Sequence, residues 1–239
     1  MGWPNNFVQG VYNSDNELVG VEDGDGGQIG LAATYTWATK PLASAYIGTA
    51  FISDIGGGTY WVSNGVRWKP LNGRTVIHTK TQSIQSAVIN SATFVLVEEV
   101  SMPADLWKNG DILIITSSFE KLNGTTDTLN PLLHIGTVSG TVGTSTATTG
   151  FPTMPTTSVR SSGCQILRRY SSTSYETMNT NVGATGSAFV TGGRVITGMP
   201  SMDSQWYLQL CLNRTAGAGG TETVVVQTFT VELLSNTNL

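Results

Sequence analysis

The chain has 239 residues, enough for one domain of roughly 150 residues with smaller modules before it. Charged residues make up only 12% and the net charge is −4, so the sequence lacks the cationic surface that attracts nucleic acid. It also lacks a basic leader and the run of roughly 20 apolar residues that spans a bilayer, which predicts a chain without membrane insertion.

The first region, residues 1–44, alternates short apolar patches with turn residues and has no run long enough to close a core. Such segments become ordered against partners, so we expect an extended N-terminal segment. Within it, Asp23 and Asp25 alternate in the acidic turn 22–27 as calcium ligands would. The further ligands of a calcium loop are missing, so a solvated glycine turn is preferred and a metal site is the alternative.

The second region, residues 45–79, is rich in aromatic residues and glycine and almost free of charge. Two aromatic arms flank the turn 63–65, whose Asn-Gly pair suits positive φ angles, so the sequence predicts a β-hairpin knob. An isolated hairpin is marginal in water, so Tyr60, Trp61 and Trp68 must pack on something. Three copies around an axis would supply that surface; a tryptophan clamp on a ligand is the alternative.

The third region, residues 80–239, carries most of the strand signals. Its strand candidates are rich in β-branched and aromatic residues and are divided by clusters of Gly, Ser, Thr and Asn, which predicts an all-β, jelly-roll-like sandwich. A weak helical period predicts one short helix over 81–92. The strand candidates are 93–100, 111–119, 131–138, 163–171, 173–178, 188–196, 205–214 and 223–234.

Alternation predicts which side of two strands faces the core. In 205–214, the four residues Trp206, Leu208, Leu210 and Leu212 share one side and should point inward. In 223–234 neither side is strongly polar. A strand that is apolar on both sides is usually covered on both, so we take this strand as a first indication of oligomerisation.

Residues with catalytic potential are few. His78 and His134 are the only histidines, and a structural role is the preferred interpretation of His134 because it lies within a strand candidate. Cys164 and Cys211 also lie in strand candidates and are interpreted as buried thiols. No nucleophile or metal motif occurs, so we predict that the protein is not an enzyme and holds no cofactor or metal.

Three tyrosines are candidates for contact with an external surface. Tyr170, Tyr175 and Tyr207 are predicted to lie opposite the core or near strand ends, where an aromatic ring can stack on a sugar or a protein. Burial in a subunit interface is the alternative. The run 136–150 is uncharged and rich in Gly, Ser and Thr, which predicts a peripheral hairpin or loop.

Segment 48–73 contains a pattern of aromatic, glycine and small polar residues: Ser53, Asp54, Ile55, Gly56, Tyr60, Trp61, Ser63, Asn64, Gly65, Arg67, Trp68, Lys69 and Pro70. This pattern resembles a short stretch that recurs in tailed-bacteriophage tail fibres and other virion fibre proteins, where it precedes a C-terminal β-sandwich. The resemblance covers little more than a tenth of the chain.

This resemblance implies a homotrimeric virion protein of the tail or another appendage. Residues 1–44 would attach to other virion proteins, and the sandwich, residues 80–239, would trimerise and bind a host surface polysaccharide or protein. One alternative is a capsid-bound head fibre, decoration or adaptor protein. Another is a polysaccharide depolymerase, for which the candidate carboxylates are Glu98, Glu99, Asp111, Glu120, Asp127 and Glu176.

Overall fold

The computed structural model describes residues 9–12, 18–22, 28–30, 33–81, 86–89, 93–123, 128–143, 151, 153–156, 159–177, 194–214 and 222–236. Strands and turns account for nearly all of them, and the one helical element in these ranges is a single 3-10 turn, Ala43–Ala45. The predicted all-β fold class is confirmed. Within the same ranges, no helix is long and apolar enough to cross a membrane.

The chain divides into two compact units that do not follow the predicted boundaries at 44/45 and 79/80. The first unit comprises residues 1–54 and 58–71, and the second comprises residues 55–57 and 72–239. The reason lies in strand pairing. A strand before residue 44 joins the sheet that holds the predicted hairpin, and a strand that begins at Arg74 pairs with the last strand of the chain.

The first unit contains two small sheets. Strands β1 (Gln9–Tyr12), β2 (Leu18–Glu22) and β3 (Gln28–Gly30) pair antiparallel in that order. The second sheet, here named the aromatic sheet, has the order β4 (Ala33–Tyr35), β5 (Ile47–Ile52), β6 (Thr59–Asn64) and β7 (Trp68–Pro70), with β4 parallel to β5. Residues 23–27 of the acidic turn lie outside the described part of the chain.

The predicted hairpin is present in the aromatic sheet. Strands β6 and β7 pair antiparallel, with Trp61 opposite Pro70 and Ser63 opposite Trp68. The turn between them contains Gly65 at φ +85°, and the Asn64 side chain accepts backbone N–H bonds from the two residues after that glycine. Local turn chemistry therefore sets this register, as the sequence predicts.

The aromatic sheet encloses its own core. Trp61 is fully buried and lies edge-on to Trp37, with ring centroids 4.9 Å apart. Trp68 is also buried; it stacks on Tyr46 at 5.2 Å and donates its indole N–H to the Pro41 carbonyl. The expectation that a trimer interface covers these two indoles is corrected, because side chains of the same chain cover them.

The second unit, here named the sandwich, is built from two sheets in a sandwich-like arrangement. The smaller sheet has the order β10 (Val95–Met102), β16 (Trp206–Arg214) and β12 (Leu129–Gly136), all antiparallel neighbours. The larger sheet has the order β15 (Arg194–Ile196), β14 (Ser174–Thr177), β13 (Arg160–Ser171), β11 (Ile112–Asn123), β17 (Glu222–Leu234) and β8 (Arg74–Thr81), and β9 (Ser86–Ile89) also pairs with β17.

The core of the sandwich follows the predicted alternation in β16, where all four inward residues are fully buried. In β17, Phe229, Val231 and Leu233 are buried on one side. Near its start, consecutive residues 224–226 are all buried, and the pairing with β11 shifts register just beyond them. The chain itself therefore covers both sides of this part of β17, which removes our first indication of oligomerisation there.

The helix predicted over 81–92 is wrong where the structure describes it. Ser86–Ile89 form β9, which pairs antiparallel with the first residues of β17. Val88 and Ile89 are β-branched and fit a strand that has a partner, so tertiary pairing overrides the weak helical period. Residues 82–85 and 90–92 lie outside the described part of the chain.

Candidate functional site

A depression of about 390 Å³ lies at the end of β12 in the sandwich. Residues 135–138, 141–143 and 198–200 line it. The described lining residues include two threonines and five apolar residues, none of them charged: Ile135, Val138, Val142, Met199 and Pro200 are the apolar ones. This volume is at the lower end of the range for sites that bind small ligands.

Glu99 fixes the middle of the 137–143 loop. One carboxylate oxygen accepts from the Ser139 hydroxyl at 2.6 Å, and the other accepts from the Gly140 backbone N–H at 3.1 Å. Burial opposes ionisation of Glu99, but hydrogen bonds from Ser139, Gln209 and Gly140 together hold its pKa below the ordinary value. The loop is therefore anchored to β10 by charge-assisted hydrogen bonds, which are stronger than neutral ones.

Gln209 fixes the end of the same loop from β16. Its amide nitrogen donates to Glu99 Oε2 and to the Thr141 carbonyl, both at 2.8 Å, and its amide oxygen accepts from the Gly143 N–H at 2.8 Å. The side chain is fully buried. Because buried amides are costly unless they are paired, this residue stabilises one loop conformation strongly.

His134 completes the row under the loop, since it pairs with Gln209 across β12 and β16. Its Nδ1 donates to the Gly143 carbonyl at 3.2 Å, its ring lies edge-on to Phe94, and its Nε2 is buried without a partner among the described residues. Burial lowers the pKa of His134, opposed by the hydrogen bond to Gly143. A neutral, structural histidine results, as the sequence predicts.

The three predicted tyrosines have different environments. Tyr175 is only 1% exposed and lies near Trp107 in the core of the sandwich, so its predicted contact with an external surface is corrected. The ring centroids of Tyr175 and Trp107 lie 6.4 Å apart, so a core contact covers the ring. Tyr170 is well exposed on β13, whereas Tyr207 is half-buried and lies opposite Gly136, which lines the depression.

The carboxylates suggested for catalysis have structural partners wherever the structure describes them. Glu98 pairs with Lys80, Glu120 with Arg160, and Glu176 with Arg168. Asp111 is fully buried and accepts from two backbone N–H groups. Asp127 lies outside the described residues. None of the described carboxylates lines the depression.

The remaining reactive groups are dispersed. His78 lies 3.7 Å from Glu98, and burial lowers its pKa, with Glu98 raising it and Lys80 lowering it. Both cysteines are free thiols; Cys211 is fully buried, and burial together with Glu99 raises its pKa to about 12. In the described ranges, no three His, Cys, Asp or Glu side chains come close enough to hold a metal ion.

The chain matches no known protein-family model and no curated protein sequence. The chemistry of the depression is therefore inferred from its lining residues. A neutral, open depression with a fixed loop can bind a ligand through hydroxyl groups, backbone groups and apolar contacts. Among the described residues, those that line the depression include no histidine, cysteine or charged side chain.

Sequence reasoning missed the two residues that organise this site. Alternation in 205–214 predicts only that Gln209 lies on the side opposite the four core residues, and the sequence suggests Glu99 only as a catalytic carboxylate. One signal was available: Gln209 lies between Leu208 and Leu210 in the centre of a strand candidate that is apolar at alternate positions. The partner loop could not be read from the pattern because its contacts lie 66 and 40 positions away in the chain.

Proposed function

We propose that this chain is the subunit of a homotrimeric bacteriophage tail fibre, which binds the host cell surface without catalysis. In this proposal the N-terminal segment attaches to other virion proteins and the jelly-roll-like sandwich faces the host. The resemblance of segment 48–73 to virion fibre proteins supports the class of protein. One structural observation, described next, supports self-association.

The aromatic sheet exposes large apolar side chains although its tryptophans are already buried. Five side chains, here named the apolar rim, are 50–81% exposed: Leu42, Ile47, Tyr60, Val66 and Leu71. Single exposed apolar residues are ordinary, but five in so small a unit are characteristic of a surface that a partner covers. Copies of the same chain are the partner that the proposal requires.

The apolar rim has two parts. Ile47 lies beside Gly65 at the hairpin turn, next to Val66. Tyr60 and Leu71 are joined at the other end of the hairpin by a backbone hydrogen bond, and Tyr60 packs edge-on against Phe51. In a trimer, Tyr60 would contact a neighbouring subunit, as the sequence predicts. Trp61 and Trp68 are buried within their own chain and would contribute by stabilising the sheet.

The mass of the purified chain at micromolar concentration tests self-association. We expect three times the chain mass of 25.3 kDa by light scattering. Val66→Asp should shift the trimer toward monomer, because it places a charge in an apolar contact. The control, Val195→Asp, changes an exposed valine of the sandwich and should leave the mass unchanged. A monomeric wild-type chain would contradict the proposal.

Adhesion of the labelled chain to bacterial cells, together with its position on virions by immunogold electron microscopy, tests the attachment role. We expect binding to cells of the host strain and gold at the tail. A trimer that occupies the capsid and binds no cells would instead establish the head fibre, decoration or adaptor alternative. Release of reducing ends from host polysaccharide would establish the depolymerase alternative.

A further inference from the structure

The 137–143 loop, which lines the depression at the end of β12, is held by more side-chain hydrogen bonds than a connecting loop requires. Ser139 and Gly140 of the 137–143 loop donate to Glu99, and Gly143 donates to Gln209. The Thr141 and Gly143 carbonyls accept from Gln209 and His134. The three partner side chains lie on neighbouring strands, and those of Gln209 and His134 are buried. A loop that merely connected two strands could be satisfied by water. Fixing it in advance reduces the entropy that a ligand would otherwise lose on ordering it.

We propose that this depression binds a neutral saccharide, one pyranose unit of a host surface polysaccharide. The inference rests on the proposed function for the source of the ligand, but the site is argued from its own chemistry. A pyranose ring has one apolar C–H face and a rim of hydroxyl groups. The depression offers counterparts to both.

The apolar side of the depression suits the C–H face of a sugar. Val138, which is 60% exposed, lines the depression together with Met199 and Pro200. Burial of such a face contributes about 25 cal/mol per Å² of apolar surface removed from water. Tyr207, an aromatic residue that suits contact with a sugar, pairs with the lining residue Gly136 across β12 and β16.

The polar side suits hydroxyl groups. Thr137 and Thr141 are exposed on the loop and line the depression, each with one hydroxyl that both donates and accepts. Glu99 lies beneath the loop, and its oxygens accept three hydrogen bonds from Ser139, Gly140 and Gln209. Its negative charge disfavours phosphate or a sialic acid, and the described lining residues include no lysine or arginine to attract them.

A matched pair of substitutions tests the site. Val138→Trp fills the depression, and Val159→Trp adds the same side chain to a valine that is 51% exposed immediately before β13 of the larger sheet. The probes are the methyl glycosides of glucose, galactose, mannose and N-acetylglucosamine, titrated by saturation-transfer NMR against the full chain. We expect at least one glycoside to bind, about tenfold more weakly in Val138→Trp and unchanged in Val159→Trp.

A second variant tests the role of the anchored loop. Ser139 does not line the depression, so Ser139→Ala acts only by releasing one hydrogen bond to Glu99. We expect faster amide exchange at Gly140 and binding weaker by roughly twofold to fivefold. Unchanged affinity despite faster exchange would overturn the claim that the loop is prearranged for the ligand.

The results separate this inference from the proposed function. Equal glycoside binding by both tryptophan variants, binding only of sialic acid or inorganic phosphate, or binding of none of the glycosides overturns the saccharide site. Cell adhesion that persists after such a result leaves the fibre proposal standing. Glycoside binding that is lost in Val138→Trp, by a chain that adheres to no cell, supports the site and overturns host attachment.

Discussion

The aromatic sheet and the sandwich reach a stable core by different routes. The aromatic sheet pairs strands that are close in sequence, and its interior is a cluster of Trp37, Trp61, Trp68 and Tyr46. The sandwich pairs strands that are far apart, such as β8 with β17, and its interior is largely aliphatic around Trp107 and Trp206. The aromatic sheet depends on a few large side chains, whereas the sandwich depends on many smaller ones.

This difference determines how each unit tolerates damage. At about 0.05–0.15 kcal/mol per residue, residues 33–71 have a stability of roughly 2–6 kcal/mol, whereas the sandwich exceeds roughly 8 kcal/mol. Loss of one large side chain is then comparable with the whole stability of the aromatic sheet. The same loss is only a fraction of the stability of the sandwich.

Removal of a central indole from each unit should give the largest effect. We expect Trp61→Ala and Trp107→Ala each to cost about 3–5 kcal/mol, since both indoles are fully buried. Trp61→Ala should unfold the aromatic sheet, while Trp107→Ala should leave a folded sandwich with a lower urea midpoint. Amide NMR spectra, which report each unit separately, check this.

Tyr60 supplies the control for Trp61, because it is the neighbouring aromatic residue and points to solvent in the single chain. In the monomeric Val66→Asp background, Tyr60→Ala should change the unfolding free energy of the aromatic sheet by less than about 1 kcal/mol. Equal losses from Tyr60→Ala and Trp61→Ala would refute the view that a few internal indoles stabilise this sheet.

In each unit, the carboxylate of one aspartate accepts a hydrogen bond from at least one backbone N–H group, so the two aspartates can be compared. Asp111 of the sandwich is fully buried and accepts from the backbone N–H groups of Lys108 and Asn236, at 3.0 and 2.8 Å. Asp54 of the aromatic sheet is exposed and accepts from the Trp37 N–H at 2.7 Å. Asparagine keeps the shape of aspartate but replaces one acceptor oxygen with a donor.

Asp111→Asn should therefore cost about 2–3 kcal/mol, and Asp54→Asn less than about 1 kcal/mol. Urea unfolding followed by circular dichroism measures both. A larger loss from Asp54→Asn would reverse the assignment of polar anchoring to the sandwich.

Two adjacent glycines sharpen the boundary between the units. A Cβ at Gly56 would lie 1.7 Å from the Val76 carbonyl oxygen of β8, whereas a Cβ at Gly57 would meet nothing within 4 Å. Both residues have positive φ, of +60° and +80°, so alanine costs about 1–2 kcal/mol at either position. Gly56→Ala should cost more, because it must also displace β8.

The additional loss of stability in Gly56→Ala should be seen in the unfolding transition of the sandwich. Gly56 belongs to that unit, although the residues directly before 55 and directly after 57 belong to the unit that contains the aromatic sheet. Thermal unfolding of the two alanine variants gives the comparison directly. Equal melting temperatures would refute the close approach of Gly56 to β8.

The smallest effect is a pH dependence confined to the sandwich. Burial lowers the pKa values of His78 and His134 in the folded chain, so the unfolded chain binds more protons below its ordinary histidine pKa of about 6.5. Stability is then complete above that value and decreases as the pH falls toward the folded pKa values. His134→Gln, whose amide can still donate to Gly143, should reduce the slope between pH 7.5 and 5.5, measured by urea midpoints. An unchanged slope would exclude His134 as a contributor.

Much of the fold follows from local pattern. The turn chemistry of 63–65 predicts the hairpin, and the alternation in Trp206–Arg214 predicts the buried side of β16; both are confirmed. The boundary at 79/80 did not match, because β8 and the residues before it read as one continuous segment. Only the pairing of β8 with a distant strand shows that it belongs to the sandwich.

The candidate site follows less from pattern, because it depends on side chains that meet through folding. Tyr207 is half-buried on β16, whereas Tyr175 is buried beside Trp107, a contact between residues that are far apart in the chain. Gln209 is buried by a loop from another strand, and a period-two pattern assigns its side of the strand as outward. Such coverage is a property of topology and not of local sequence.

The position of β17 affects the order in which a ribosome delivers these parts. Arg74 in β8 pairs with Glu232 in β17, 158 positions later. At roughly 5–20 residues per second, β8 leaves the ribosome about 10–30 s before its neighbour exists. The aromatic sheet needs no such delay, since its strands emerge together. A nascent chain therefore carries an early folded unit and an unpaired β8 edge, which is a natural binding site for chaperones during synthesis.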